Sequence, residues 1–192
     1  MKVDFLSYLD YFSYNSIVIL SYFFICLIIL IINYFSKDKL NSFLVFRRGS
    51  IFNPMNYIRL VASGFCHKDF EHFRNNFVII LLIGPLLEEK YGSLNILYML
   101  LITNFVSSLF HLIFYDSGAI GASDNAYMLI VLCSIVNISD GKIPITLILI
   151  ILFYVLGEFV NFVFHKRDNV SHDSHVVGAV LGFIFGYYVF LI

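Results

Sequence analysis

Residues 174–192, SHVVGAVLGFIFGYYVFLI, decide the fold because they join a polar start to a long apolar run. The run approaches the length of about 20 residues that an α-helix needs to cross a bilayer core. Three glycines follow His175 at steps of 3, 4 and 4, so all four residues share one helical face. These are Gly178, Gly182 and Gly186. A stripe of small residues permits close helix contact, so this face is predicted to press against a neighbouring helix.

The composition of the whole chain extends this prediction. Of its 192 residues, 60% are hydrophobic and 13% are charged, and the mean hydropathy is +0.87. A water-soluble fold of this size could not hide so much apolar surface. We therefore predict an all-α membrane protein with a single domain over residues 1–192. The net charge of −1 gives no indication of nucleic-acid binding.

Six mostly apolar segments are predicted to be transmembrane helices. They cover residues 14–35, 72–91, 94–115, 119–138, 144–164 and 174–192. Between the first two, residues 36–71 mix aromatic side chains with arginines. That mixture is typical of a structured element at the membrane surface, so we predict an interfacial loop there.

The second, fourth and sixth segments approach spanning length only if polar residues at their N-terminal ends are included. Those residues are His72 to Asn76, Ser123 to Asn125, and His175. Polar groups at membrane depth are expensive and usually face a bundle interior or a wet cavity. Because alternate spans run in the same direction, the three starts emerge at one face of the membrane. They are therefore predicted to converge on a functional site.

The chemistry of these starts indicates acyl transfer. A serine hydroxyl needs a general base to be nucleophilic near neutral pH, and histidine suits that role. Ser123 is thus predicted to be the nucleophile and His175 the base. Each residue alone has a plain structural interpretation, since a membrane serine often bonds its own helix backbone and a histidine often lies at the interface.

Two further residues at the start of the second span can donate hydrogen bonds. His72 and Asn76 are four residues apart and share a helical face. Preorganised donors stabilise the negative charge that develops on a carbonyl oxygen during acyl transfer. Tyr127 lies four residues after Ser123, where its ring is predicted either to buttress His175 or to belong to the core.

The ordered set of motifs resembles the rhomboid family of intramembrane serine proteases over about residues 59–192. The matching elements are Arg59-Leu60, Ser63-Gly-Phe65, His67, His72, Asn76, Gly84, Glu88, Gly92-Ser93, Gly121-x-Ser123, Tyr127 and His175-Val-Val-Gly178. No single motif is specific, but their order and spacing together are.

This resemblance implies a six-helix rhomboid-like bundle that cleaves transmembrane segments of other membrane proteins within the lipid bilayer. It implies a dyad of Ser123 and His175 without a third carboxylate, and no metal or other cofactor. The oxyanion would be held by His72, Asn76 and the Ser123 N–H. Structural or modulating roles are implied for Arg59, Glu88, Gly121, Asp124 and Gly178.

Asp124 departs from the family pattern Gly-x-Ser-Gly, in which a glycine follows the nucleophile. A carboxylate at this position adds bulk at a helix contact and would oppose an oxyanion electrostatically. The alternative function is therefore a catalytically inactive rhomboid-like protein that binds client transmembrane helices.

A third class of function is a transporter or metal carrier. Glu158 and Asn161 in the fifth span would suit an ion path, and His172-x2-His175 could form a metal-binding pair. The sequence disfavours this class, because no acidic ligand accompanies the histidines at a diagnostic spacing.

Orientation gives two conflicting expectations. Most Lys and Arg residues lie in segments 37–74 and 166–167, on the face that bears the site. The positive-inside rule places that face in the cytoplasm. The family resemblance implies instead a cell-membrane protein whose site opens to the non-cytoplasmic face, and we adopt that expectation.

Overall fold

The computed structural model describes residues 13–45, 53–114, 120–136, 143–164 and 171–190. Helices dominate these ranges and no strand occurs in them, so the prediction of an all-α protein is confirmed. The helices are α1 Ile17–Phe35, α2 Lys39–Leu44, α3 Pro54–Ala62, α4 Phe70–Tyr91, α5 Ser93–Phe114, α6 Ser123–Ile135, α7 Ile145–Val163 and α8 His172–Phe190.

A helix occupies each of the six segments that were predicted to cross the membrane. By length and composition, α1, α5 and α7 are apolar enough to do so, and α6 is a shorter apolar helix. The crossing of six helices stays a prediction. The ends of the third, fourth and sixth predicted spans and residues 46–52 of the predicted interfacial loop lie outside the described residues.

Glu88, near the end of α4, fastens the beginnings of two other helices. Its Oε2 accepts hydrogen bonds from Ser16 Oγ at 2.5 Å and Ile19 N at 3.0 Å. Its Oε1 accepts from Val18 N at 2.9 Å and Ser93 Oγ at 2.6 Å. The first N–H groups of a helix lack intrahelical acceptors, so this carboxylate caps α1 and ties it to the α4–α5 corner.

Arg59 organises the described part of the loop between α1 and α4. Its Nε donates to the carbonyl of Phe43 at 2.7 Å, and a terminal nitrogen donates to Asn56 Oδ1 at 3.1 Å. The guanidinium also lies 5.5 Å from the centre of the Phe43 ring, within cation–π range. These contacts join α2 to α3 across the loop.

A buried polar network holds the start of α6 against α1 and α5. Asn125 Nδ2 donates to Tyr22 Oη at 3.0 Å and to Asn104 Oδ1 at 2.7 Å. Tyr22 in turn donates to the carbonyl of Gly64 at 2.7 Å. Since buried polar groups are costly when unpaired, this network fixes the residue two positions after Ser123.

The glycine face of α8 lies directly against α6. A Cβ atom added at Gly178 would overlap the backbone carbonyl of Asp124, and one added at Gly182 would overlap that of Met128. Backbone atoms cannot move aside as the end of a flexible side chain can. Glycine at these positions therefore permits the close approach that brings the starts of α6 and α8 together.

Candidate active site

The N-terminal ends of α4, α6 and α8 meet around a cavity of about 510 Å³. The residues that line it are Lys68, Asp69, Glu71, His72, Asn75, Asn76, Ile120, Ser123, Ser171 and His175. The four lining residues that matter for acyl transfer come from three distant parts of the sequence. The structure thus brings together the predicted nucleophile, base and two oxyanion donors.

Ser123 is presented by a tight turn at the start of α6. Gly121 has a φ of +114°, a conformation that favours glycine, and its N–H donates to the carbonyl of Ser63 at 3.3 Å. A Cβ atom at Gly121 would lie 2.5 Å from Cε1 and 2.7 Å from Nε2 of His72. Glycine therefore lets the turn before Ser123 lie directly on the imidazole of His72.

Hydrogen-bond donors converge beside this turn. Asn76 Nδ2 is buried and has no acceptor among the described residues, although buried amide groups are normally paired. Ser123 is the first residue of α6, so its own N–H belongs to the group at a helix start that lacks intrahelical acceptors. The helix dipole adds positive potential at the same point. The arrangement can therefore receive a developing negative charge.

His175 is held from two sides. Its ring is stacked on that of Tyr127, with centroids 4.3 Å apart and planes inclined by 12°. Its Nδ1 lies 2.8 Å from Glu158 Oε2. Within the described ranges no hydrogen bond joins Ser123 to His175, and such contacts often tighten only when substrate binds. The imidazole is thus fixed in a position beside the cavity.

Sequence reasoning missed the role of Glu158 in this site. Besides His175 Nδ1, Oε2 contacts His172 Nδ1 at 2.6 Å, and Oε1 accepts a hydrogen bond from Tyr127 at 3.1 Å. The family resemblance implied a dyad without a third carboxylate, whereas here a carboxylate touches the base. Glu158 is the sole acidic residue in the predicted fifth span, which is the signal that could have drawn attention to it.

The same cluster contains side chains of the types that bind metal ions. Glu158, His172 and His175 offer ligand atoms within 4.8 Å of one another, so the absence of an acidic partner no longer argues against metal binding. However, ligands at 2.0–2.1 Å from a tetrahedral zinc ion stand about 3.3 Å apart. The observed 2.6 Å and 2.8 Å are hydrogen-bond distances instead.

Asp124, the departure from the family motif, is buried at 5% exposure. Its Oδ1 accepts a hydrogen bond at 2.8 Å from the N–H of Asn125, while its backbone carbonyl faces Gly178. The side chain is thus buried and has a partner at the start of its own helix.

His67 lies beneath the site, fully buried between α3 and α4. The centroid of its ring is 5.3 Å from that of His72, and the ring also contacts Phe73 and Phe77. Burial, reinforced by the nearby His72, lowers the pKa of His67 to about 3. The neighbouring Cys66 thiol has its pKa raised to about 12 by burial. Both groups are therefore uncharged parts of the core.

Comparisons with known proteins agree with these motifs. Residues 54–192 match the Rhomboid domain. The chain is also 32% identical over 142 residues to Rhomboid-related protein 1 of Caenorhabditis elegans, an alignment that covers 68% of this chain. The chain spans 39% of the length of that protein. The matched domain includes every residue of the predicted site.

Proposed function

The chain belongs to the rhomboid family and is an integral membrane protein, and from this premise we propose that it is an intramembrane serine endopeptidase. Its substrates would be transmembrane segments of other membrane proteins. One observation carries the proposal: Ser123, His175, His72 and Asn76 line a single cavity although they come from three separate helix starts.

The first half of the reaction forms an acyl-enzyme. Ser123 Oγ attacks the carbonyl carbon of the scissile peptide bond while its proton passes to Nε2 of His175. The oxyanion is received by the Asn76 amide, the Ser123 N–H and His72. The C–N bond then breaks, and the leaving amine takes the proton from His175.

The second half releases the product by hydrolysis. A water molecule attacks the acyl carbon and gives a proton to His175. Collapse of this second tetrahedral intermediate breaks the ester bond and returns the proton to Ser123. Every step uses side chains, backbone N–H groups and water, so no cofactor is part of the proposal.

The position of the cavity suits a substrate that comes from the bilayer. It lies at the beginnings of α4, α6 and α8, so a transmembrane segment would be cut close to one membrane face, where water is available. We propose that this is the non-cytoplasmic face of the cell membrane. This orientation follows from the family resemblance.

The direct test is cleavage of a model transmembrane substrate by the purified protein in liposomes. We expect Ser123→Ala and His175→Ala each to reduce the rate by about 10⁴-fold or more, since the two groups act as a unit. Ser134→Ala is a matched control, because this second serine of α6 bonds the carbonyl of Ile130 at 2.8 Å. Cleavage that survives in either dyad variant would refute the mechanism.

A second candidate function is supported by Asp124. A buried carboxylate next to the nucleophile would suit a rhomboid-like protein that holds client transmembrane helices without cutting them. A serine-directed fluorophosphonate probe distinguishes the two functions. Labelling at Ser123 that is lost in Ser123→Ala supports the protease, whereas an unlabelled protein that retains client helices supports the binding protein.

A further inference from the structure

We propose that Glu158 is a positioning residue that completes a Ser123–His175–Glu158 triad. The proposal rests on the proposed proteolytic function and deepens it, because it assigns the orientation of the base to a residue outside the dyad. The observation that motivates it is the 2.8 Å contact between Glu158 Oε2 and Nδ1 of His175.

The contact decides where the ring proton of His175 lies. A carboxylate oxygen accepts hydrogen bonds, so Nδ1 must be the donor in this pair. A neutral imidazole that carries its proton on Nδ1 has its lone pair on Nε2. That is the tautomer in which Nε2 can accept the proton of Ser123. Glu158 therefore prepares His175 for its role as a base.

Three donors hold the carboxylate itself in place. Oε2 is shared by His172 and His175, and Oε1 accepts from Tyr127 at 3.1 Å. The same Tyr127 ring is stacked on His175. The base is thus fixed within its ring plane by the carboxylate and across that plane by the tyrosine. Residues locked by such second contacts keep the geometry that catalysis needs.

The location of Glu158 links α7 to residues of the site. The helix α7 presents most of its apolar side chains outward, and only 6% of its 18-residue apolar stretch is buried. An acidic side chain in such a helix destabilises the fold unless it is paired. In the described part of the chain, this carboxylate is paired with Tyr127, His172 and His175, and none of these lies on α7.

The backbone of α7 is altered one turn before Glu158. Residues Ile151–Val155 form a π-helical turn between two α-helical stretches. Such a turn accommodates an extra residue and rotates the following part of the helix, and π turns are frequent at functional sites. This change in register contributes to aiming Glu158 at α8 rather than outward with its neighbours.

The expected consequence for catalysis is specific. During attack His175 becomes an imidazolium, and a carboxylate on Nδ1 stabilises that cation while it maintains the tautomer. We expect Glu158→Gln to lower kcat by about 10²- to 10⁴-fold, because the amide can donate to Nδ1 and favour the wrong tautomer. KM should change little, since Glu158 is not among the residues that line the cavity. Glu158→Asp, which keeps the carboxylate, should recover part of kcat.

The kinetic test uses the full chain in liposomes with a model transmembrane substrate. Glu89→Gln is the matched control, because it makes the same chemical change at an exposed residue near the far end of α4. If Glu158→Gln cleaves at the wild-type rate while Ser123→Ala is inactive, the triad is refuted and the protease stands. A loss confined to KM, or an Asp variant no better than the Gln variant, also refutes it.

A spectroscopic test remains valid even if the protein is not a protease or the Glu158 variants fail to fold. In ¹⁵N-histidine-labelled wild-type protein, the resonances of His175, assigned by their loss in His175→Gln, should show a protonated Nδ1 and an unprotonated Nε2. A protonated Nε2 would overturn the proposal. Stoichiometric zinc in the purified protein, whose removal by a chelator changes these resonances, would identify a metal site instead and overturn it as well.

Discussion

The six long helices fall into two groups that alternate along the chain and differ in what their first turns contain. Helices α1, α5 and α7 are apolar enough to cross a membrane, whereas α4, α6 and α8 begin with polar residues that line the cavity. The first group supplies hydrophobic length. The second group has less apolar length and brings a hydroxyl, an imidazole and an amide to one cavity.

The polar residues in the second group depend on close packing. A polar group at membrane depth is tolerated when it faces a bundle interior or a wet cavity. Glycines in the α6–α8 seam provide the close approach, and Glu88 and the Asn125 network fix the surrounding helices. Glu158 is the exception in the first group, since it lies on α7 but contacts His175 on α8.

The largest effect should come from adding a side chain to the seam. Gly178→Leu would drive carbon atoms into the backbone of Asp124, so we expect the protein to lose more than about 4 kcal/mol of unfolding free energy and all cleavage activity. Gly157→Leu on α7 is the matched control, because a Cβ there meets no atom within 4 Å. The free energy of unfolding in detergent micelles and the cleavage rate should be measured for both variants.

Comparison of the two glycine variants tests whether close packing matters more for α8, in the second group, than for α7, in the first. If the site depends on the close packing of α8 against α6, Gly157→Leu should alter stability by no more than about 1 kcal/mol and should still cleave substrate. Equal stability of the two variants would show that the α6–α8 seam can open, and the proposed dependence of the site on close packing would be wrong.

A smaller effect, confined to catalysis, should follow from Asn76→Ala. Its Nδ2 has no acceptor among the described residues, so truncation removes no hydrogen bond of that group to those residues in the free protein. Loss of one oxyanion donor typically lowers kcat by about 10²- to 10³-fold. We therefore expect a drop of about 100-fold in kcat with an unchanged unfolding midpoint.

Asn95→Ala serves as the control for that variant. Asn95 lies near the start of α5, where its Nδ2 donates to the carbonyl of Tyr91 at 2.8 Å. It should leave kcat within about 3-fold of the wild type, since it makes no contact with the cavity. A fall in stability of Asn76→Ala as large as its fall in activity would assign Asn76 to helix packing instead.

The sequence was sufficient to predict the all-α class and the convergence of three helix starts. Both follow from local signals: apolar length, and polar residues at the beginnings of alternate spans such as Ser123 and His175. The contact of Glu158 with His175 could not be predicted in this way. It depends on how α7 packs against α8 and on the π turn over Ile151–Val155, and neither has a sequence signal.

The consequence of Asp124 was also beyond sequence reasoning. The residue type predicts bulk and negative charge beside the nucleophile, but the partner of the carboxylate depends on its rotamer. In the structure Oδ1 bonds the N–H of Asn125, so the side chain satisfies a free group at the start of α6. Such local partners of a short acidic side chain are decided by geometry after the helix has formed.

The effect that is smallest near neutral pH concerns a histidine that supports the site without lining the cavity. His67 has a pKa of about 3 in the folded protein because of burial, whereas an exposed histidine has a pKa of about 6.5. Between these values the unfolded chain binds a proton that the folded protein does not. Stability should therefore fall as the pH drops from about 6.5 towards 3, by up to about 1.4 kcal/mol per pH unit, and should be unaffected by this group above pH 7.

The variant His67→Phe isolates this contribution from all other titrating groups. Phenylalanine suits the ring cluster with Phe73 and Phe77 and cannot bind a proton. The unfolding free energies of the two proteins should run parallel above about pH 7 and separate below about pH 6, with the wild type losing stability faster. Parallel curves down to pH 5 would mean that His67 is hydrated or paired in solution, and that the floor of the site is wetter than the packing of its aromatic rings implies.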